Sequence, residues 1–234
     1  MQKLFLILLM SHLVADFYLQ TNSMCEDKDK NGFISPKLYL HLIIVIVCSW
    51  LVLPSVSFIK GALFIGISHF MMDGIKHYIN KCKWVFFADQ LFHIAMLMLV
   101  SYFYKERAVE LLGFWGWNIR CVIYIVGILF ICKPTNILIQ NIFNVFDIHL
   151  NNSGNNQNQS LPQAGHIIGI TERIMTYLFV ILGQYEALGF LIAAKSILRF
   201  SDNDTSRTEY VLVGTLLSFM IAIITAFGVS LLVK

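Results

Sequence analysis

Apolar stretches of about 20 residues, the length a helix needs to cross a bilayer, follow one another along almost the whole chain, parted only by short polar breaks. That succession leaves no room for a sizeable soluble domain and predicts an all-α fold, a polytopic transmembrane helix bundle. Composition agrees, because 57% hydrophobic residues and 19 Phe in 234 residues exceed what a water-facing surface tolerates. The bilayer is therefore the expected partner. A net charge of +3, with its basic residues dispersed, offers no electrostatic patch for nucleic acid. Five cysteines, odd in number and without a C-x-x-C pair, indicate neither a thiolate metal site nor a disulfide framework.

The breaks define the expected elements. Residues 1–20 form a first helix; His12 and Asp16 interrupt what would be the apolar core of a signal peptide, so the helix is expected to be retained. The polar run from Asn22 to Ser35 reads as a loop, followed by apolar segments at 37–53, 59–79, 84–104 and 111–131, the last opening on Phe114, Trp115 and Trp117 as an interfacial anchor. Lys133, Pro134 and Asn136 then open an amphipathic helix, with Asn136, Gln140, Asn144 and Asp147 on one face, which runs to about residue 150. Residues 151–163 are a polar linker, and helices at about 165–183, 184–200 and 209–233 complete the chain. The expectation is a single integral membrane domain, 1–234, with about eight spanning helices plus one amphipathic helix. His/Asp-bearing helices occupy 1–150, and helices with a Glu/Lys/Arg cluster occupy 164–234.

Ionisable residues inside lipid-facing sequence are costly and mark function by default. Here they recur at helical i, i+4 spacing, which places them on one face: His12, Asp16 and Gln20; His69, Asp73 and His77; Asp89 and His93. Successive spanning helices alternate in direction, so the end of one lies level with the start of the next. With that alternation the first set, His41, the third-helix set and the fourth-helix set all fall at one membrane face, and the Lys/Arg bias of the loops favours that face as cytoplasmic. Imidazoles and carboxylates suit Zn²⁺, Mn²⁺ or Fe²⁺. His12, His69, Asp73, His77 and His93 are the expected ligands of one or two divalent cations, with Asp16 and Asp89 as catalytic carboxylates, one of them an unliganded base acting on metal-bound water during attack on an ester or phosphoester. His41 and Gln20 lie closer to the interface and are weaker candidates. His149 and His166 are expected to face water.

In the second half, Glu172, Arg173, Lys195, Arg199 and Glu209 share one depth. Lys195 and Arg199 are the candidate binders of an anionic substrate; ion pairing with Glu172 and Glu209 is the competing role. Two further classes stand beside the enzyme: a scaffold or regulatory subunit whose buried polar groups only lock helices together, and an ion-coupled transporter, disfavoured by the apolar opposite ends of the first four helices.

The strings HLVADFYLQT (His12 to Thr21), SHFMMDGIKHY (Ser68 to Tyr78), ADQLFH (Ala88 to His93), IIGITERI (Ile167 to Ile174), AAKSILRF (Ala193 to Phe200) and EYVLVGTLLS (Glu209 to Ser218) resemble the recurring motifs of an uncharacterised family of bacterial polytopic inner-membrane proteins. The resemblance implies a multi-pass protein of the bacterial inner membrane and no particular reaction. More distantly, the His and Asp spacing of the first half is similar to that of membrane-bound metal-dependent hydrolases, without their H-R-x-x-x-H-S opening.

Overall fold

The computed structural model describes residues 1–79, 82–148, 164–199 and 205–233, and among them every regular element is helical. His149 and the linker 151–163 lie outside the described residues. The chain forms two compact units, Met1–Leu129 and Phe130–Lys234.

In the first unit, α1 (Gln2–Leu13) runs directly into a π-helical turn, Val14–Leu19. Then come α2 (Asn22–Asn31), α3 (Pro36–Leu51), α4 (Ile59–Ile79), α5 (Val85–Phe103) and the short α6 (Ala108–Gly113). α1 packs on α3 and α5, and α4 packs on the same two helices, so the four close a ring whose interior is shared by all of them. Small residues let the ring close tightly. A methyl group at Gly66 of α4 would fall 2.2 Å from Ile46 of α3, and one at Gly74 would fall 2.1 Å from the Phe33 ring. α2 lies against α3 and α4.

The segment 22–35 is therefore not the expected loop. The Thr21 hydroxyl accepts from the Met24 amide at 3.3 Å and starts α2, and Gly32, at φ +51° against the His77 ring, ends it in a conformation that disfavours any side chain. Ser35 caps α3 in turn, with Pro36 at its first position.

The expected helix 111–131 is also revised. α6 stops at Gly113, Gly116 adopts φ +56°, and α7 (Ile119–Val145) starts beyond Asn118, whose side chain accepts from the Arg120 amide. The Trp115 and Trp117 indoles donate to the Leu51 and Val52 carbonyls at the end of α3, at 3.0 and 3.2 Å. These two rings thus satisfy acceptors that the helix end leaves open.

α7 continues to Val145 with Pro134 inside it, so the expected amphipathic helix is its second half and not a separate element. The remainder of the second unit is α8 (Ala164–Ile181), α9 (Tyr185–Arg199) and α10 (Thr205–Val233), with α8 packed on both α9 and α10. Proline deprives the Phe130 carbonyl of its amide partner and its ring crowds that turn. The Thr135 hydroxyl donates to Phe130 O at 2.8 Å, and Arg173 of α8 donates from Nε to Ile131 O at 2.6 Å and from Nη2 to Cys132 O at 3.2 Å. Side chains supply what the backbone lacks, as a membrane interior demands.

Five helices are long and apolar enough to cross a membrane: Gln2–Leu19, Val56–Ile79, Val85–Phe103, Ile119–Val145 and Glu209–Val233. Asn22–Ile34 with Pro36–Leu51, bent by 107°, makes a sixth if the pair counts as one broken span. The expected count of about eight is not reached among the described residues, because α8 and α9 do not meet that standard. Burial is inverted relative to a soluble protein. Leu91, Phe103, Phe190 and Leu231 are each more than two-thirds exposed, while His41, His69, Asp73, Asp89, His93 and Arg173 are at most 5% exposed. That distribution is the one expected of helices long and apolar enough to cross a membrane.

Candidate metal centre

Each helix of the ring sends its ionisable residues inward. His12 comes from α1 and Asp16 from the π-turn that follows it, His41 from α3, His69 and Asp73 from α4, and Asp89 and His93 from α5. Asp73 lies six residues before the end of α4, about 9 Å along the axis at the helical rise, and Asp89 four residues after the start of α5, about 6 Å. The cluster thus sits near one end of the ring. Facing positions on bundle helices are where such sites are built.

The donor atoms converge. His41 Nε2 and His69 Nε2 are 3.0 Å apart. Asp16 Oδ1 stands 3.3 Å from His69 Nε2, 3.6 Å from His41 Nε2 and 3.7 Å from His12 Nδ1. Asp73 Oδ2 is 3.7 Å from His69 Nε2 and 3.8 Å from His41 Nε2. Four ligands held about 2.0–2.2 Å from a tetrahedral ion stand roughly 3.3–3.6 Å from one another. The distances of Asp16 and of Asp73 to His41 and His69, and that between the two imidazoles, bracket that value. Asp16 Oδ1 is fully buried, and its contacts with the three imidazoles fall short of well-formed hydrogen-bond geometry. A buried carboxylate oxygen facing three imidazole nitrogens suits a cation as well as ion pairing with the rings.

On the neighbouring side, His93 Nε2 and Asp89 Oδ1, both buried, form an ion pair at 3.1 Å. Ligand atoms of Asp73, Asp89 and His93 lie within 4.8 Å of one another. The His69 and His93 rings stack at 3.8 Å between centroids, 18° from parallel, joining the two halves of the cluster. The Gln90 amide donates to Asp89 Oδ2 at 3.3 Å and faces His12 Nε2 at 3.4 Å through its oxygen, the kind of outer contact that fixes the orientation of metal ligands.

Two lysines close the site electrostatically. Lys28, 7% exposed and carried by α2, donates to Asp73 Oδ2 at 2.5 Å. Lys76 of α4 donates to Asp89 Oδ2 at 3.2 Å. The Gln20 amide lies between the Asp16 carbonyl and the Lys28 ammonium.

Of the expected ligands, His12, His69, Asp73 and His93 are brought together with Asp16 and Asp89. His77 is not. Its Nδ1 meets the Asp29 carbonyl of α2 at 2.7 Å, and among the described residues it joins none of the ligand groups. Asp16 stands at the meeting point of three imidazoles. His41, a weak candidate in the sequence, is 1% exposed and central. The sequence also missed Lys28, whose only signal was a basic residue in the last turn of a helix that itself went unrecognised.

In the second unit, Lys195 pairs with Glu172, as the ion-pair role requires. The side chain of Arg199 and residues 200–204 lie outside the described part. Among the described residues Arg173 is buried, 2% exposed, and its guanidinium also donates to Ser218 Oγ at 3.0 Å and Asn136 Oδ1 at 2.5 Å.

Residues 4–118 match the family model DUF3307, described as a protein of unknown function. The matched stretch contains all seven converging residues and ends before the motif strings of the second half. No curated protein and no solved structure gives a significant match to the chain.

Proposed function

We propose that this is a membrane-embedded, divalent-metal-dependent hydrolase whose centre is the His/Asp cluster inside the four-helix ring, close to one membrane face. The observation that carries the reading is Asp16 Oδ1, buried and ringed by His12, His41 and His69, with Asp73 beside His41 and His69 at similar spacing. The donor types, oxygen and imidazole nitrogen without thiolate, are those of catalytic Zn²⁺, Mn²⁺ or Fe²⁺ sites. A cation there would supply a bound water ionising near neutrality. Carboxylates of the cluster left unliganded would be placed to accept its proton, while Lys28 and Lys76 hold Asp73 and Asp89 in place. From the motif resemblance, the setting we propose is a bacterial inner membrane.

Metal analysis of detergent-purified protein tests the reading. Stoichiometric transition metal that survives gel filtration and is lost on combined His69→Ala and Asp73→Ala substitution supports it. Metal-free protein, after refolding-free purification with Zn²⁺ and Mn²⁺ present throughout, removes it. A second reading has its own support: the Lys28–Asp73 and Lys76–Asp89 pairs already neutralise two carboxylates, as a helix-clamping network in a scaffold protein would. Under that reading the same substitutions lower stability and metal is never bound.

A further inference from the structure

Two foci of buried ligand atoms lie within the cluster, and one residue touches both. The first focus is Asp16 Oδ1, among the imidazoles of His12, His41 and His69. The second is the buried ion pair Asp89 Oδ1 and His93 Nε2, whose 3.1 Å separation is close to that of two ligands on one ion. Asp73 has ligand atoms within reach of His41 and His69 on one side and of Asp89 and His93 on the other. We propose, building on the metal-dependent reading above, that the centre takes two divalent cations bridged by Asp73, one with Asp16, His41 and His69, the other with Asp89 and His93, and that the pair accepts a phosphate ester.

The stacking of His69 on His93 fits this assignment, since it carries the two imidazoles side by side as ligands of neighbouring ions. A carboxylate shared by both cations holds them at the roughly 3.5–4 Å spacing of two-metal hydrolytic sites. Charge points to the substrate. Three buried carboxylates face two ammoniums, Lys28 and Lys76, which leaves one net negative charge with neutral imidazoles. Two divalent cations reverse that to a strongly positive site, and a phosphate dianion restores near-neutrality in a setting where uncompensated charge is costly. In the reaction a metal-bound water adds through its oxygen to phosphorus, the phosphorus–oxygen ester bond breaks, and the departing oxygen receives a proton, giving an alcohol and inorganic phosphate.

Manganese titration of metal-stripped, detergent-solubilised full-length protein tests the proposal, with bound metal counted by elemental analysis and the ion pair read by electron paramagnetic resonance. Two equivalents with an exchange-coupled signal are expected in the native sequence. His93→Asn and, separately, Asp89→Asn should each reduce binding to one equivalent and replace the coupled signal with that of an isolated ion. Inorganic phosphate added to the two-manganese form should change the coupled signal. One equivalent in the native sequence, unaffected by either substitution, overturns the two-ion centre while leaving the single-metal reading intact; no bound metal at all overturns both. A coupled signal that phosphate leaves unchanged at millimolar concentration overturns the substrate class. The native titration decides the stoichiometry even if a variant fails to fold.

Discussion

Replacing Arg173 with leucine should destabilise the second unit through the turn that Pro134 disturbs. The guanidinium makes four hydrogen bonds, to the carbonyls of Ile131 and Cys132, to Ser218 Oγ and to Asn136 Oδ1. Asn136 Nδ2 beside it is already unpartnered. Hydrogen bonds within membrane proteins average about 0.6 kcal/mol each in double-mutant cycles, and a buried acceptor left open costs about 1–3 kcal/mol in general. Four lost bonds, two of them to carbonyls in an apolar medium, therefore put Arg173→Leu at about 2–4 kcal/mol. Reversible unfolding in mixed micelles by increasing SDS, followed by circular dichroism, gives the number. The mechanism makes a sharper demand. Pro134→Ala returns an amide to the Phe130 carbonyl and relaxes the crowded turn, so Arg173→Leu should cost less in that background, with a coupling of at least about 0.5 kcal/mol. Additive losses, or a single loss below about 0.5 kcal/mol, would refute the idea that this arginine serves the proline turn.

Other consequences concern the first unit. Lys28→Met leaves Asp73 buried beside imidazoles without its ammonium and should cost about 3 kcal/mol or more in metal-free protein; thermal unfolding with and without added Mn²⁺ should show the deficit shrinking when the cation is present, and an equal deficit in both conditions would contradict it. Gly74→Ala places a methyl group 2.1 Å from the Phe33 ring and should destabilise by about 1–3 kcal/mol, measurable by the same SDS titration, whereas the equally helical but uncrowded Gly189→Ala should not destabilise. His77→Ala should leave metal content unchanged, because its ring serves the α2 carbonyl of Asp29 and not the cluster; loss of metal in that variant would restore it to the ligand set.

Sequence periodicity located the ring because its helices are long and apolar and their ionisable residues repeat every fourth position. α4 came out of the sequence with the bounds that the structure gives it. What escaped was decided by contacts distant in the chain. His77 shares a helical face with Asp73, but the last turn of α4 carries it past the cluster to α2, a partner the spacing could not reveal. His41 follows Lys37 and Pro36 closely enough to pass for an interfacial residue, and only the packing of α3 on α4 buries it. α2 has no apolar stripe, so its cap at Thr21 and its terminal Gly32 were the sole local signals. Pro134 marks a helix end by local rules, and the donors that let α7 run through it come from Thr135 and from a residue of α8.

The π-turn at Val14–Leu19 accommodates one residue more per turn than the helix it extends. Such a bulge is a counted thing, present or absent, with nothing in between. Shortening the chain by one residue there would restore ordinary pitch and leave the direction of α2 nearly unchanged, since five α-helical residues turn the chain about as far as six π-helical ones. The hydrophobic span would survive, yet a deletion ahead of Asp16 would bring that carboxylate one position closer to His12 and shift it against His41 and His69. Such a deletion should therefore be tolerated by the membrane and rejected by the cluster.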